Sequence, residues 1–158
     1  MRLSDILKVS AVRVAAESRD KRAVIRELVG LAASAAGPDI TDAEAVVKAV
    51  LEREATKTTG IGSGLATPHA KTPAVRRLVM ALAVPKTPID FDSLDGRPVS
   101  VLILLLAPPD QTGPYIQALA RVSKLMSLEP LRRKIVAAPS AAEVLRLLTE
   151  EEAHLLKC

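Results

Sequence analysis

The chain has two histidines, and one of them stands in an unusual setting: TTGIGSGLATPHAKTP, residues 58–73. Pro68 fixes its own φ and pushes Thr67 toward an extended conformation, so the backbone entering His69 is stiff. Upstream, Gly60, Gly62 and Gly64 alternate with Ile61 and Ser63. Such a stretch lets main chain approach closely and can turn successive N–H groups toward one point, an anion nest. Neutral imidazole is nucleophilic near neutral pH. A phosphoryl group moving onto it needs donors and positive charge already in place. The residue types therefore suit phosphoryl transfer through histidine, with the 60–64 backbone as phosphate cradle. Two plainer readings stand beside this one. The glycines make a tight connection and nothing more, and His69 is a packed residue with its ring nitrogens satisfied.

Other chemistries fit less well. The dinucleotide fingerprint needs its third glycine three positions after the second, directly behind a strand; here the third comes two after, behind helical sequence. G-x-x-x-x-G-K-[ST] is absent. Ser63 is not in a G-x-S-x-G elbow, because Ile61 sits where the first glycine belongs. His69 and His154 are far apart and have no local ligand pair, so no metal is expected. His154, in the charged stretch EEAHLLKC, is expected to face solvent. The single cysteine, Cys158, is expected to be a free thiol. One Tyr and one Phe cannot build a base-stacking platform, which argues against single-stranded nucleic acid. The net charge of +4 favours anionic partners weakly and names none. Arg2, Asp5 and Lys8 interrupt the N-terminus, so no signal peptide is read there. The longest apolar run, 101–107, is far too short to span a bilayer. The expectation is a soluble, cytoplasmic protein without membrane insertion.

The elements that must position His69 follow from periodicity. With 49% apolar residues but only 1% aromatic, the core has to be aliphatic. Residues 11–16 suit a short strand. Val24, Leu28, Leu31 and Ala35 repeat at helical spacing, with Asp20 as N-cap and Gly37-Pro38 as the stop. Thr41-x-x-Glu44 has the form of a capping box for a second helix, whose stripe is Ala43, Val46, Val47, Val50 and Leu51. Residues 78–85 and 99–109 read as strands, the second buried on both faces. The connection 86–99 is loop, with Asp95-Gly96 as a turn. Thr112 or Gly113 caps a further helix with Pro114 at its first position and Ile116, Leu119, Val122 and Met126 inward. A short segment follows over 130–137. Ser140-x-x-Glu143 starts the last helix, with Val144, Leu147 and Leu148 inward. Strands interspersed with helices predict one α/β layered domain over 1–158.

The string TGIGSGLATPHA resembles the active-site segment of the enzyme IIA domains of the bacterial phosphoenolpyruvate-dependent phosphotransferase system, in the fructose/mannitol class and its nitrogen-regulatory relatives. REATKTTGIGSG and PIDFDSLDGRPVSVLILLLAPP are similar to further family segments in the same order, so the resemblance covers nearly the whole chain. It implies a mixed β-sheet with helices on both faces. It also implies an enzymatic role: a phosphohistidine carrier protein passes phosphate to His69 through Nε2, as a covalent phosphohistidine with no cofactor. Onward partners would be a IIB domain or regulated target proteins. Arg53 matches the family's active-site arginine. By its own sequence position it lies three residues after Val50, at the stripe margin near a helix end, where a guanidinium can reach a phosphoryl site or simply complement the helix dipole. Tyr115 stands where the family commonly has a second histidine. At the first turn of a helix its phenol can donate one hydrogen bond to phosphate but carries no positive charge; the alternative is a half-buried cap of the core. The expectation is a nitrogen-regulatory type of protein. The alternatives are a stand-alone sugar-transport component and a non-catalytic interaction module that kept the fold and lost transfer.

Overall fold

The apolar run of residues 101–107 becomes the middle of the sheet. In the computed structural model, which describes residues 2–157, strand β6 (Val101–Ala107) is buried at all seven positions, as is its neighbour β5 (Val79–Pro85). Cys158 lies outside the described residues. Four further strands complete a six-stranded sheet: β1 (Val12–Ala16), β2 (Gly60–Gly62), β3 (Leu65–Ala66) and β4 (His69–Lys71). The order is β1-β5-β6-β3-β2, with β4 also on β6. β5 runs antiparallel to β6 and β2 antiparallel to β3, while the β1–β5, β3–β6 and β4–β6 pairs are parallel. The sheet is therefore mixed.

Five α-helices cover it among the described residues: α1 (Lys21–Ala36), α2 (Ala43–Thr56), α3 (Thr112–Met126), α4 (Glu129–Ala137) and α5 (Ala141–Lys157). α1 and α2 pack on each other and on β5 and β4; α3 and α4 reach β6, and α5 reaches β1. With both central strands sequestered, the two sheet faces are covered, as a layered α/β domain requires. The core is aliphatic except for two buried aromatics, Phe91 and Tyr115.

Local signals mostly held. Asp20 caps α1 by accepting from the Ala23 N–H at 2.8 Å. The Glu143 N–H donates to Ser140 Oγ at 3.2 Å, and Val144 and Leu148 are buried. Three expectations need correction. The cap of α2 is Asp42, which accepts from the Ala45 N–H; the Thr41 hydroxyl donates instead to the Ala74 carbonyl, and Ala43 is exposed. α3 begins two residues before Pro114. Its inward face is Tyr115, Ala118, Val122, Leu125 and Met126, and Ile116 is 59% exposed. Adjacent helical residues point about 100° apart, so burying Tyr115 turns Ile116 to solvent. Finally, the glycine stretch is more than a tight connection: with the residues up to Lys71 it carries three short strands.

Candidate functional site

Leu65 to Lys71 runs alongside β6 in one unbroken register, pairing Leu65 with Val101, Ala66 with Leu102, and His69, Ala70 and Lys71 with Leu105, Leu106 and Ala107. The interruption between β3 and β4 falls at Thr67-Pro68, because Pro68 has no N–H to give the ladder. Its carbonyl still accepts from the Leu105 N–H at 3.1 Å. Strand alternation then sends Ala66, Pro68 and Ala70 into the core and leaves Thr67, His69 and Lys71 on the other side.

His69 Nδ1 lies 2.7 Å from the Thr67 carbonyl oxygen. A carbonyl can only accept, so in the neutral ring Nδ1 carries the proton and Nε2 keeps its lone pair. Burial pushes the imidazole pKa below its usual 6.5, and the Arg53 guanidinium adds to that; the Thr67 carbonyl and the Glu54 carboxylate pull the other way. The net result is a neutral ring with a nucleophilic Nε2 at neutral pH.

Two helix ends frame this ring. Arg53, in the last turn of α2, is half-buried and donates from Nη1 to the Lys57 carbonyl at 3.0 Å. Tyr115, in the first turns of α3, is buried and meets His69 edge to face, with ring centroids 5.9 Å apart at 63°. Burial pushes the phenol up to about 12, against the opposing influence of Arg53. It is a neutral donor across the physiological range. The charge of Arg53 is felt by both His69 and Tyr115, so the three residues named from sequence converge on one place. Lys71, two residues beyond His69 on the same face, brings a second cation, and its Nζ donates to Thr112 Oγ1 at the start of α3, 3.2 Å away. No strand is read from sequence over 58–73, so this i, i+2 relation does not show there.

The glycine cradle is a different matter. Gly60–Gly62 folds back antiparallel on Leu65–Ala66, and Gly62, Ser63 and Gly64 adopt φ of 110°, 57° and 78° to close the turn. The Gly60 N–H donates to Thr58 Oγ1 at 3.1 Å and the Ser63 N–H to the Asp95 carboxylate at 2.9 Å. Ile61 is 49% exposed. The turn is level with Val101, whereas His69 is level with Leu105; four strand residues at ~3.3 Å each separate the two by about 13 Å. Gly62, Ser63 and Gly64 are therefore not brought to His69, and the expected nest does not form there. The glycines serve geometry: positive φ at the turn, and at Gly60 a close approach, since a Cβ there would lie 2.5 Å from Ser93 Oγ and 3.2 Å from the Phe91 carbonyl oxygen.

His154 is exposed on α5, away from any such setting. Among the described residues no three His, Cys, Asp or Glu side chains gather as a ligand set, and no helix is long and apolar enough to cross a membrane. A second residue missed from sequence is Glu54, a carboxylate only 5% exposed beside the site.

Comparison with known proteins bears on the family and the fold. The family model described as "Phosphoenolpyruvate-dependent sugar phosphotransferase system, EIIA 2" matches residues 5–151. A nitrogen regulatory protein of Bradyrhizobium diazoefficiens is 32% identical over 94% of this chain and 95% of its own length. The fructose-specific EIIABC component of Bacillus subtilis is 30% identical over 96% of this chain, which spans only 24% of that longer protein. Among solved structures, the nitrogen regulatory protein IIA-Ntr of Neisseria meningitidis superposes with a TM-score of 0.85 at 27% identity, covering 92% of this chain and 98% of that one. By sequence and by fold, the chain belongs to the EIIA 2 family of the phosphoenolpyruvate-dependent sugar phosphotransferase system.

Proposed function

We propose that the protein takes a phosphoryl group from a phosphohistidine carrier protein onto His69 Nε2, and that it serves as a cytoplasmic regulatory component of the nitrogen type. The observation that carries the chemistry is the 2.7 Å contact between His69 Nδ1 and the Thr67 carbonyl, which leaves Nε2 unprotonated beside Arg53. The Nε2 lone pair attacks phosphorus as the carrier's N–P bond breaks, and that bond's electron pair returns to the carrier's ring. Nδ1 keeps its proton, so the phosphorylated ring is cationic, and its hydrogen bond to the Thr67 carbonyl becomes charge-assisted and stronger. Arg53, Lys71 and the Tyr115 hydroxyl are the groups at hand to meet the phosphoryl oxygens. The regulatory role is supported by similarity to nitrogen regulatory proteins along 95% of the Bradyrhizobium relative's length. A second reading, a module that kept the fold and lost transfer, is favoured by one observation: buried, neutral Tyr115 fills the place of a chargeable group.

Incubation with a phosphorylated carrier decides between them. The proposal expects an acid-labile, base-stable adduct on the wild type and none on His69→Ala. Undiminished labelling of His69→Ala, or label on His154, overturns the assignment; a wild type that never takes label leaves the non-catalytic module.

A further inference from the structure

Behind the His69 ring runs a buried line of polar contacts that the transfer step does not itself touch. It starts at Glu54, one residue after Arg53 in the last turn of α2. Its Oε1 accepts the Thr59 N–H at 2.7 Å and its Oε2 the Thr59 hydroxyl at 2.6 Å. Lys21, the first residue of α1, places Nζ 3.0 Å from Oε1. That ammonium also lies 4.7 Å from the centroid of the Phe91 ring. From Thr59 the line continues toward the site. The Thr59 carbonyl accepts the Thr67 N–H at 3.1 Å, and the Thr67 carbonyl accepts the His69 Nδ1–H at 2.7 Å.

A carboxylate removed from water is costly unless it is paired and hydrogen-bonded, and this one is both. What it holds is the exit of α2. The helix stops without a glycine cap: Lys57 turns straight to an extended conformation, φ −163° and ψ 133°. The chain's direction into β2 therefore depends on side chains, and Glu54 grips the residue whose carbonyl pairs with Thr67. Which ring nitrogen of a neutral histidine carries the proton is set by the hydrogen bond that its surroundings offer. An unconstrained imidazole prefers the proton on Nε2, the tautomer useless for attack at that atom.

We propose that Glu54, held by Lys21, is a positioning residue for His69: by fixing Thr59 it keeps the Thr67 carbonyl aimed at Nδ1 and so keeps the Nε2 lone pair free. The consequence for rate rests on His69 being the phosphoryl acceptor; the consequence for the tautomer does not. The test is nitrogen NMR of His69 on the full chain, together with single-turnover transfer from a phosphorylated carrier, corrected for folded fraction. Glu54→Ala should bring in the Nε2–H tautomer and slow the maximal transfer rate by roughly fivefold or more, the worth of one hydrogen bond, without changing the carrier concentration at half-maximum. Glu54→Gln, whose amide oxygen can still accept the Thr59 N–H, should keep the wild-type tautomer and recover most of the rate. A folded Glu54→Ala with the wild-type tautomer and rate overturns the proposal and leaves Glu54 as a fold contact only. Should Glu54→Ala not fold, Glu54→Asp decides by the same two readouts, since it retains the charge beside Lys21 but falls short of Thr59. A wild type that takes no phosphate, with a tautomer that still follows Glu54, removes the acceptor role and upholds the positioning. Normal transfer with a tautomer indifferent to Glu54 does the reverse.

Discussion

A histidine that attacks phosphorus must be unprotonated, and His69 is kept so mainly by burial, with Arg53 adding to the effect. Its titration midpoint should therefore fall below the usual 6.5, and transfer should decline as pH falls through that midpoint. Stability follows the same sign. Between 6.5 and the lower folded midpoint the unfolded chain binds the proton and the folded one resists it, so this residue's contribution is present above 6.5 and drains away as pH drops. Arg53→Ala should raise the midpoint, because a repelling cation is gone, and yet slow transfer, because a charge-assisted contact to phosphate is lost. Its only side-chain hydrogen bond to the described residues is to Lys57, so the stability cost should stay at about 1 kcal/mol or less. A loss of several degrees in melting temperature with normal transfer per folded molecule would make Arg53 structural. Tyr115→Phe removes one neutral donor, and the expected result is transfer slowed, or phospho-His69 shortened in lifetime, by roughly fivefold. Tyr115→His should support transfer at least as well as tyrosine, since imidazole donates and can also carry charge. Unchanged kinetics and lifetime in the Phe variant would reduce Tyr115 to packing.

Elements explain what single residues cannot. β5, β6, α1 and α5 were legible from period and caps because each is long enough to show its own pattern. β2, β3 and β4 were not: at two or three residues each, they acquire strand character only from the register with β6, which no local window contains. The glycine stretch misled for the same reason. Its alternation looks like an anion nest, but the spacing is what a bulged hairpin needs when one arm lies against Ser93. Gly60→Ala should accordingly cost about 1–3 kcal/mol in denaturant unfolding, because the added carbon meets backbone that cannot swing away. Gly30, exposed within α1 with nothing near its missing Cβ, makes the opposite case: Gly30→Ala should stabilise by about 0.5–1 kcal/mol. Glu54 was legible in principle. It falls four residues after Val50 and eight after Val46, in phase with the buried stripe of α2, and a charge in that phase calls for a partner.

At the scale of the whole chain, the short turn at Leu3 is fastened to the last helix. The buried carboxylate of Glu152 on α5 accepts the Leu3 N–H at 2.7 and 3.0 Å and the Arg121 guanidinium of α3 at 3.0 Å. Glu152→Ala strands both donors and should lower global stability by about 2–4 kcal/mol, while leaving transfer per folded molecule intact, since no part of the network touches His69. Equal loss of transfer among folded molecules would show the two ends of the domain to be coupled. The aromatic-poor core has an optical consequence as well. The chain contains no tryptophan and a single tyrosine, and that tyrosine rests edge-on against the His69 ring. Nearly all near-ultraviolet emission from this protein therefore originates beside His69. Placing a dianionic group there should alter the brightness of the natural fluorophore, so phosphorylation can be followed in real time with no label attached. In Tyr115→Phe the signal itself disappears.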